Sequence, residues 1–212
     1  SRLIQITFTS TGILKMSGNG GFVFTGATSG IRIDVPFKAV KIINAVDNNA
    51  SFTWNTGFPT LISTPCARVD LGASHGVGER ELVKIISNDQ LTQTNLIRYQ
   101  GETQLVGAVS GQYIYLTGHL RNTYNTSPRA VVYDSSKKII IDGLSFSSDW
   151  DTNVSTNAQR NYLYIAGAVA PMLSNLNFYN TTLSGLVTDA CIHPFTTNLR
   201  FHNGRNAISS AS

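Results

Sequence analysis

Two aspartates flank a tryptophan at Asp149-Trp150-Asp151, within a polar stretch of the chain. Glycoside hydrolysis needs two carboxyl groups, one acting as the acid and the other as the base or nucleophile. The indole ring beside them offers an apolar surface on which a sugar ring can stack. We therefore interpret Asp149 and Asp151 as candidate catalytic residues and Trp150 as a candidate substrate contact. The alternative is a polar surface loop that carries a partly buried tryptophan.

Tyrosines form the second group of candidates. Tyr162, Tyr164 and Tyr179 lie in segments rich in apolar residues, as do Tyr113 and Tyr115 earlier in the chain. Because side chains alternate between the two faces of a strand, these rings cannot all point into one core. We assign Tyr162, Tyr164 and Tyr179 to substrate binding. Packing, or a contact between subunits, is the alternative for each ring.

Other reactive side chains show no spacing that favours a metal or a cofactor. The four histidines lack ligand spacing, and no group of aspartates offers the several oxygen ligands that calcium needs. We predict no metal and no cofactor, so a glycoside hydrolase is favoured over a metal-dependent lyase.

Asp134, Asp142 and Asp189 fall at strand ends and are interpreted as turn residues. The two cysteines, Cys66 and Cys191, lie far apart in sequence. A disulfide between them has no support in the sequence, and two buried free thiols are favoured.

The composition favours β structure with many turns. Hydrophobic residues make up 42% of the 212 residues and charged residues only 13%, about half of the roughly 25% that is usual. The cations behind the net charge of +4 are scattered along the sequence, which disfavours a nucleic-acid partner. No apolar run reaches transmembrane length and no signal peptide is recognised, so no membrane partner is predicted. The chain has the character of a piece of a longer protein.

An internal repeat near the C-terminus predicts the architecture. Leu144-Ser145-Phe146, Leu176-Asn177-Phe178 and Leu199-Arg200-Phe201 share the form Leu-x-Phe, and the last two are followed by x-Asn. An apolar pair that recurs at intervals of roughly 20–30 residues is typical of solenoids. In a parallel β-helix each segment forms one strand of a turn, with Leu and Phe inward and Asn at a left-handed corner. The first interval is the longer one, and it holds a polar insertion, Ser147–Arg160.

A hairpin is predicted in the middle of the chain. Val106–Val109 and Tyr113–Leu116 alternate apolar and other residues, and Ser110-Gly111 between them is typical of a tight turn. Such a hairpin can protect an exposed strand edge. A short helix at Ser87–Leu96 is the one helical candidate.

Residues 77–124 also carry a resemblance to a known family. The run Glu81–Asp89, the pair Gly101-Glu102, the hairpin and His119–Tyr124 follow one another. This order resembles the N-terminal end of the β-helix in bacteriophage tailspikes and related pectin-lyase-like proteins, and the resemblance covers roughly residues 80–205. The fold expected is therefore an all-β, right-handed parallel β-helix of the pectin-lyase-like type, with a β-sandwich as the runner-up. The domains expected are β-helix turns at 1–64, a hairpin-bearing excursion at 65–128 and further turns at 129–212.

The resemblance implies a homotrimer on a virion tail that binds, and in a further step depolymerises, bacterial surface polysaccharide. Tailspikes are longer and carry a C-terminal trimerisation region, so a fragment or a minimal version is expected here. Two alternatives stay open. One is a structural or adhesive β-helix module without catalysis, and the other is a free extracellular polysaccharide hydrolase or lyase.

Overall fold

The structure is a computed structural model that describes residues 3–7, 12–24, 30–54, 62–90, 99–148, 161–181, 183–203 and 208–211. These residues form 18 strands and no helix, which confirms the all-β prediction. The strands are β1 (Leu3–Thr7), β2 (Ile13–Ser17), β3 (Gly21–Phe24), β4 (Gly30–Asp34), β5 (Phe37–Ile42), β6 (Ala45–Trp54), β7 (Ile62–Asp70), β8 (Leu82–Gln90), β9 (Tyr99–Ser110), β10 (Tyr113–Leu116), β11 (Arg129–Tyr133), β12 (Lys138–Asp142), β13 (Ser145–Ser148), β14 (Asn161–Ala166), β15 (Met172–Tyr179), β16 (Ser184–Asp189), β17 (Phe195–His202) and β18 (Ile208–Ala211).

The helix predicted at Ser87–Leu96 is wrong where the structure describes it. Strand β8 continues through residues 87–90, and the residues from 91 to 98 lie outside the described part. The alternation of buried and exposed residues along β8 explains the difference, because Val83, Ile85 and Ser87 all face the interior. Burial of every second residue is typical of a strand. In a helix, with 3.6 residues per turn, the same residues would not share one face.

The chain divides into two compact units. Residues 1–36 and 136–212 form one, and residues 37–135 form the other. We call them the parallel unit and the antiparallel unit, after the pairing of their strands. The expected domain boundaries, after residues 64 and 128, both fall within the antiparallel unit. Strands β5 and β6 belong there because β5 pairs with β11, and β6 pairs with β7.

The parallel unit contains two sheets in which every pairing is parallel. The first parallel sheet has the order β1-β4-β14-β16-β18, and the second has the order β2-β12-β15-β13-β3, with β17 also on β15. From β14 to β18 the chain alternates between the two sheets, so that each strand pairs with the next strand but one. Leu163 therefore lies beside Leu186, and Leu186 beside Ile208.

The Leu-x-Phe segments lie side by side in the second parallel sheet. Phe146 pairs with Phe178, and Phe178 pairs with Phe201. With Phe22 they form a ladder of stacked rings whose centroids are 5.7, 5.1 and 4.8 Å apart. This spacing approaches the ~4.8 Å between neighbouring strands. The ladder packs in a single apolar core with the inward side chains of the first parallel sheet.

Left-handed residues mark the bends of this unit at a regular interval. Four pairs of residues with positive φ share one separation along the chain, and they are Gly167 and Ala190, Ala170 and His193, Asn175 and Asn198, and Asn180 and Asn203. The asparagines predicted to follow Leu-x-Phe are confirmed in this conformation, with φ of +55° and +52°. Asn198 also donates to the side chain of Asn175 at 2.7 Å, and Asn175 donates to Asp142 at 2.9 Å. Equivalent bends are therefore tied to each other across the strands.

The antiparallel unit is a seven-stranded sheet with the order β5-β11-β8-β9-β10-β7-β6. The predicted hairpin is confirmed as β9–β10, where Ser110 pairs with Tyr113. Gly111 occupies the first turn position with φ of +59°, as a two-residue hairpin turn requires. The buried carboxylate of Glu102 accepts hydrogen bonds from the backbone N–H groups of Arg121 and Asn122 and from the Tyr124 hydroxyl. Glu102 thus fixes the loop that follows the hairpin.

Removing one ring from the middle of the aromatic ladder should destabilise the parallel unit. Phe178 is fully buried between two stacked rings, so Phe178→Ala leaves a cavity and should cost about 3–5 kcal/mol of unfolding free energy. Chemical denaturation followed by circular dichroism measures the loss. Phe195→Ala on the neighbouring strand is the matched control, because Phe195 is 58% exposed, and its loss should stay within about 1 kcal/mol. Equal losses in the two variants would contradict the role of the ladder.

Candidate functional site

The predicted catalytic residues Asp149 and Asp151, with Trp150 between them, lie outside the described residues. Strand β13 ends at Ser148, directly before them. The Ser148 hydroxyl donates to the carbonyl of Asn180 at 3.3 Å. The chain therefore leaves the second parallel sheet close to Tyr179, which precedes Asn180.

Tyr162 lies in the interior of the parallel unit. Its ring is fully buried and packs 5.3 Å from Phe24, and its hydroxyl donates to the carbonyl of Asn180 and contacts the Ser148 hydroxyl at 2.7 Å. The two strand residues that follow, Leu163 and Tyr164, resume the alternation between the core and the outer face. Tyr162 therefore supports the fold from inside, and no sugar could stack on its ring in this structure.

Tyr179 lies on the outer surface, at the end of β15. Its ring is 38% exposed and stacks on the His202 ring, with centroids 4.6 Å apart and planes 10° from parallel. The pair forms because Tyr179 and His202 occupy equivalent positions on adjacent parallel strands. A flat, exposed pair of rings offers an apolar platform of the kind that a sugar ring can use.

Tyr164 lies on the outer face of the first parallel sheet, within a cluster of polar side chains. Arg32 and Tyr164 are paired residues on β4 and β14. Asp34 pairs with Ala166, and Ala166 pairs with Asp189 on β16. The four polar residues point outward because Ile31, Ile33 and Ile165 alternate with them and are buried in the core. We call Arg32, Asp34, Tyr164 and Asp189 the outer cluster.

Hydrogen bonds and stacking fix the geometry of the outer cluster. Arg32 donates from Nε to both oxygens of Asp34, at 2.9 and 2.8 Å, and its guanidinium lies 4.5 Å from the centre of the Tyr164 ring. The Tyr164 hydroxyl donates to Asp189 at 2.7 Å. Gln5 donates to Asp34 at 3.2 Å. Each charged side chain therefore has a partner, and the ring is held between a cation and a carboxylate.

The pKa values of this cluster follow from these contacts. The pKa of Tyr164 is raised, first by burial and then by its hydrogen bond to the negative Asp189. The pKa of Arg32 is raised chiefly by its hydrogen bond to Asp34. At neutral pH Tyr164 is therefore protonated, as a hydrogen-bond donor, and Arg32 is charged.

The two carboxylates are separated by one strand. Because neighbouring strands lie ~4.8 Å apart, the backbones of Asp34 and Asp189 are about 10 Å apart. Such a pair, with the Tyr164 ring on the strand between them and Arg32 beside Asp34, can bind hydroxyl groups and an apolar sugar face together. Sequence reasoning interpreted Asp189 as a turn residue and did not select Arg32 or Asp34. The one available signal was the alternation Ile31-Arg32-Ile33-Asp34, which puts opposite charges on one face of a strand.

Comparisons with known proteins bear on the fold. No family model matches the chain, and no curated protein does either. Among solved structures, the tailspike protein gp49 from Pseudomonas phage LKA1 aligns with 100% of this chain and 39% of its own, at a TM-score of 0.52 and 15% identity. The chain has a tailspike-like fold. It spans about two fifths of the length of that tailspike.

Two other tailspikes align with lower TM-scores. The gp54 tailspike of Acinetobacter baumannii bacteriophage AP22, in complex with A. baumannii capsular saccharide, has a TM-score of 0.43 and 10% identity over 95% of this chain and 52% of that one. The tailspike gp61 of Pseudomonas phage phi297 has a TM-score of 0.42 and 8% identity over 96% of this chain and 38% of that one.

Two further features concern the part of the tailspike-like fold that the structure describes. There, no three histidine, cysteine, aspartate or glutamate side chains lie close enough together to hold a metal ion. Within the same residues, no helix has the length and apolar character needed to cross a membrane.

The cysteines of the tailspike-like fold are both free thiols. Cys66 is buried in the antiparallel unit, and burial raises the pKa of its thiol. Cys191 is half-buried in the parallel unit, where burial raises its pKa to about 11. Its sulfur also lies 3.5 Å from the carbonyl of Ile165. Both thiols are therefore poor nucleophiles, since the reactive species is the thiolate.

Thiol alkylation tests this account of the cysteines. At about pH 8 a thiol with a pKa near 11 should react with iodoacetamide roughly a hundredfold more slowly than free cysteine, because its thiolate is that much rarer. Mass spectrometry of tryptic peptides over time measures the rate at Cys191. After unfolding without a reductant, both cysteines should alkylate fully. Protection of both in the unfolded chain would instead indicate a disulfide.

Proposed function

We propose that this chain is part of a phage tailspike or tail appendage that recognises bacterial surface polysaccharide. On this proposal it is located on the virion tail, outside the host cell. The observation that carries the proposal is the outer cluster, an aromatic ring with a cation and two carboxylates on the open face of a parallel sheet. The tailspike-like fold supplies the biological setting for such a surface.

We further propose that the parallel unit is a right-handed parallel β-helix. Support comes from the alternation of β14–β18 between two sheets and from the constant interval between equivalent bends. Parallel strands joined by a crossover adopt the right-handed connection in nearly all proteins. Each turn then presents its outward residues in rows along the stack, and such rows suit an extended polymer.

Polysaccharide recognition follows from the chemistry of the outer face. Sugars combine apolar ring faces with many hydroxyl groups, so they bind where aromatic rings and charged hydrogen-bonding groups meet. Tyr164 lies between Arg32 and Asp189 in this way. The exposed Tyr179–His202 pair offers a second platform, beside Asn180, whose carbonyl accepts a hydrogen bond from Ser148 at the end of β13.

Depolymerisation is the second step of the proposal. Asp149 and Asp151 are the proposed acid and base, with Trp150 as a sugar contact, because two nearby carboxyl groups are the minimum for glycoside hydrolysis. Their position in the chain supports this role, since they directly follow Ser148 and Ser148 bonds to the residue after Tyr179.

A homotrimer is the proposed assembly. Large apolar side chains are exposed on the parallel unit, notably Ile13 at 64% and Val23 at 70%. Where such side chains form one patch, that patch commonly marks a contact with another subunit. A non-catalytic adhesive module would share this assembly without cleavage, whereas a free extracellular enzyme would be expected as a monomer. Light scattering on the purified chain separates the last case from the first two.

Substituting the platform tyrosines should weaken glycan binding. Tyr164→Ala and Tyr179→Ala each remove an aromatic surface, and each should reduce affinity for a bound capsular polysaccharide about tenfold, or about 1.4 kcal/mol. Biolayer interferometry against a panel of bacterial polysaccharides measures the change. Tyr113→Ala in the antiparallel unit is the matched control, because Tyr113 also lies under an arginine, and it should bind as the wild type does. Unchanged affinity in both platform variants would overturn the assignment of these surfaces.

Cleavage is tested separately from binding. Asp149→Asn and Asp151→Asn should each lower the release of reducing ends from a bound polysaccharide by at least about a hundredfold, while affinity stays near that of the wild type. Asp47→Asn in the antiparallel unit controls for a general loss of charge. Full activity in both variants would remove Asp149 and Asp151 from the mechanism. Binding without any cleavage by the wild type would favour the adhesive alternative.

A further inference from the structure

We propose that Arg32 binds a carboxylate of the glycan, so that the polysaccharide recognised by the outer cluster is an acidic one that carries uronic-type sugars. The inference rests on the proposed glycan-binding function and adds the chemical class of the ligand and the atoms that would recognise it. The atoms are Nη1 and Nη2 of Arg32, at the end of the guanidinium.

The first observation is the way in which Arg32 meets Asp34. Both hydrogen bonds to Asp34 come from Nε, at 2.9 and 2.8 Å. Among the described residues, Nη1 and Nη2 form no hydrogen bond, and the side chain is 41% exposed. The end of the guanidinium therefore keeps its N–H groups available on a surface that solvent reaches. Two parallel N–H groups in one plane match the two oxygens of a carboxylate.

The second observation is that the plane of this guanidinium is already fixed. The guanidinium carbon of Arg32 stacks 4.5 Å from the centre of the Tyr164 ring, and the Tyr164 hydroxyl donates a hydrogen bond to Asp189 at 2.7 Å. Asp34 in turn is held by Gln5. An arginine ordinarily loses considerable rotamer freedom on binding, and a side chain ordered in advance avoids that loss. These three contacts, with the hydrogen bonds from Arg32 to Asp34, thus favour recognition of a planar anion.

The two aspartates of the outer cluster do not block binding of an anion at the end of the Arg32 guanidinium. Asp34 occupies the Nε side of the guanidinium and Asp189 interacts with the Tyr164 hydroxyl, so neither lies at the free end among the contacts described. The whole chain carries a net charge of +4, which does not repel a polyanion.

Arg68 in the antiparallel unit shows a similar set of contacts with one difference. It lies 4.8 Å from the centre of the Tyr113 ring and pairs with Asp47, but its hydrogen bond comes from Nη2, at 3.0 Å. The end of that guanidinium is therefore already in use. Arg68 and Arg32 have similar exposure, 38% and 41%, so Arg68 is a control for the loss of an arginine stacked on a tyrosine.

The test compares three versions of the full chain: wild type, Arg32→Lys and Arg68→Lys. Each is titrated against a panel of bacterial capsular polysaccharides in native form and after chemical reduction of the carboxyl groups to primary alcohols. Lysine keeps the charge but cannot form the planar two-point contact. Circular dichroism establishes that the variants are folded.

We expect the wild type to bind carboxylate-bearing glycans and to lose about tenfold or more in affinity when their carboxyl groups are reduced. Arg32→Lys should show a similar loss on the native glycan and little further loss on the reduced one. Arg68→Lys should bind like the wild type. The inference would be overturned if the wild type bound the native and the reduced form of a glycan with equal affinity, also where that glycan carries phosphate. Unchanged binding by Arg32→Lys would overturn it as well. Either result would leave the proposed function intact. Failure of the wild type to bind any glycan would overturn both.

Discussion

The structure of the parallel unit depends on one constraint, which is the in-register pairing of parallel strands. When equivalent residues of successive strands lie side by side at ~4.8 Å, every side chain meets its counterpart from the neighbouring strand. Each position therefore has to accept a copy of its own side chain, or a compatible one, at the neighbouring position. Aromatic rings fit such a row because they stack on one another, as Phe146, Phe178 and Phe201 do in the core of the parallel unit. Asparagines tolerate it because their amides bond to one another, as Asn175 and Asn198 do.

The same constraint organises the outer surface. Tyr179 meets His202, and Arg32 meets Tyr164, because each pair shares a row across two strands. Residues far apart in sequence thereby become one chemical group. The polar rows are also mutually supporting, since Asp34 orients Arg32 and Asp189 orients Tyr164. A rigid backbone with fixed spacing is what allows these side chains to be ordered before a ligand arrives.

Some of this was predictable from the sequence, where the signal is local. The last two Leu-x-Phe segments and their asparagines recur without an insertion between them, so their pairing was predictable. The hairpin was predictable from Ser110-Gly111. The outer cluster was not, because Ile31 and Leu163 pair across an insertion of unpredictable length. Tyr162 is assigned to substrate binding by the sequence, which does not show that it and Leu163 are both buried and so interrupt strict alternation.

The antiparallel unit interrupts the parallel one between β4 and β12, and strands on either side of it still pair in register. Ile33 lies beside Ile165 although the whole antiparallel unit separates them in the sequence. Closing a loop becomes costlier only with the logarithm of its length, at about 0.6 kcal/mol for each doubling. By that relation, a change in the length of the segment between β4 and β12 alters the closure cost of the stack only slightly. This makes the junction after Pro36 a natural point for modular variation, where new accessory units could be acquired while the outer cluster is kept.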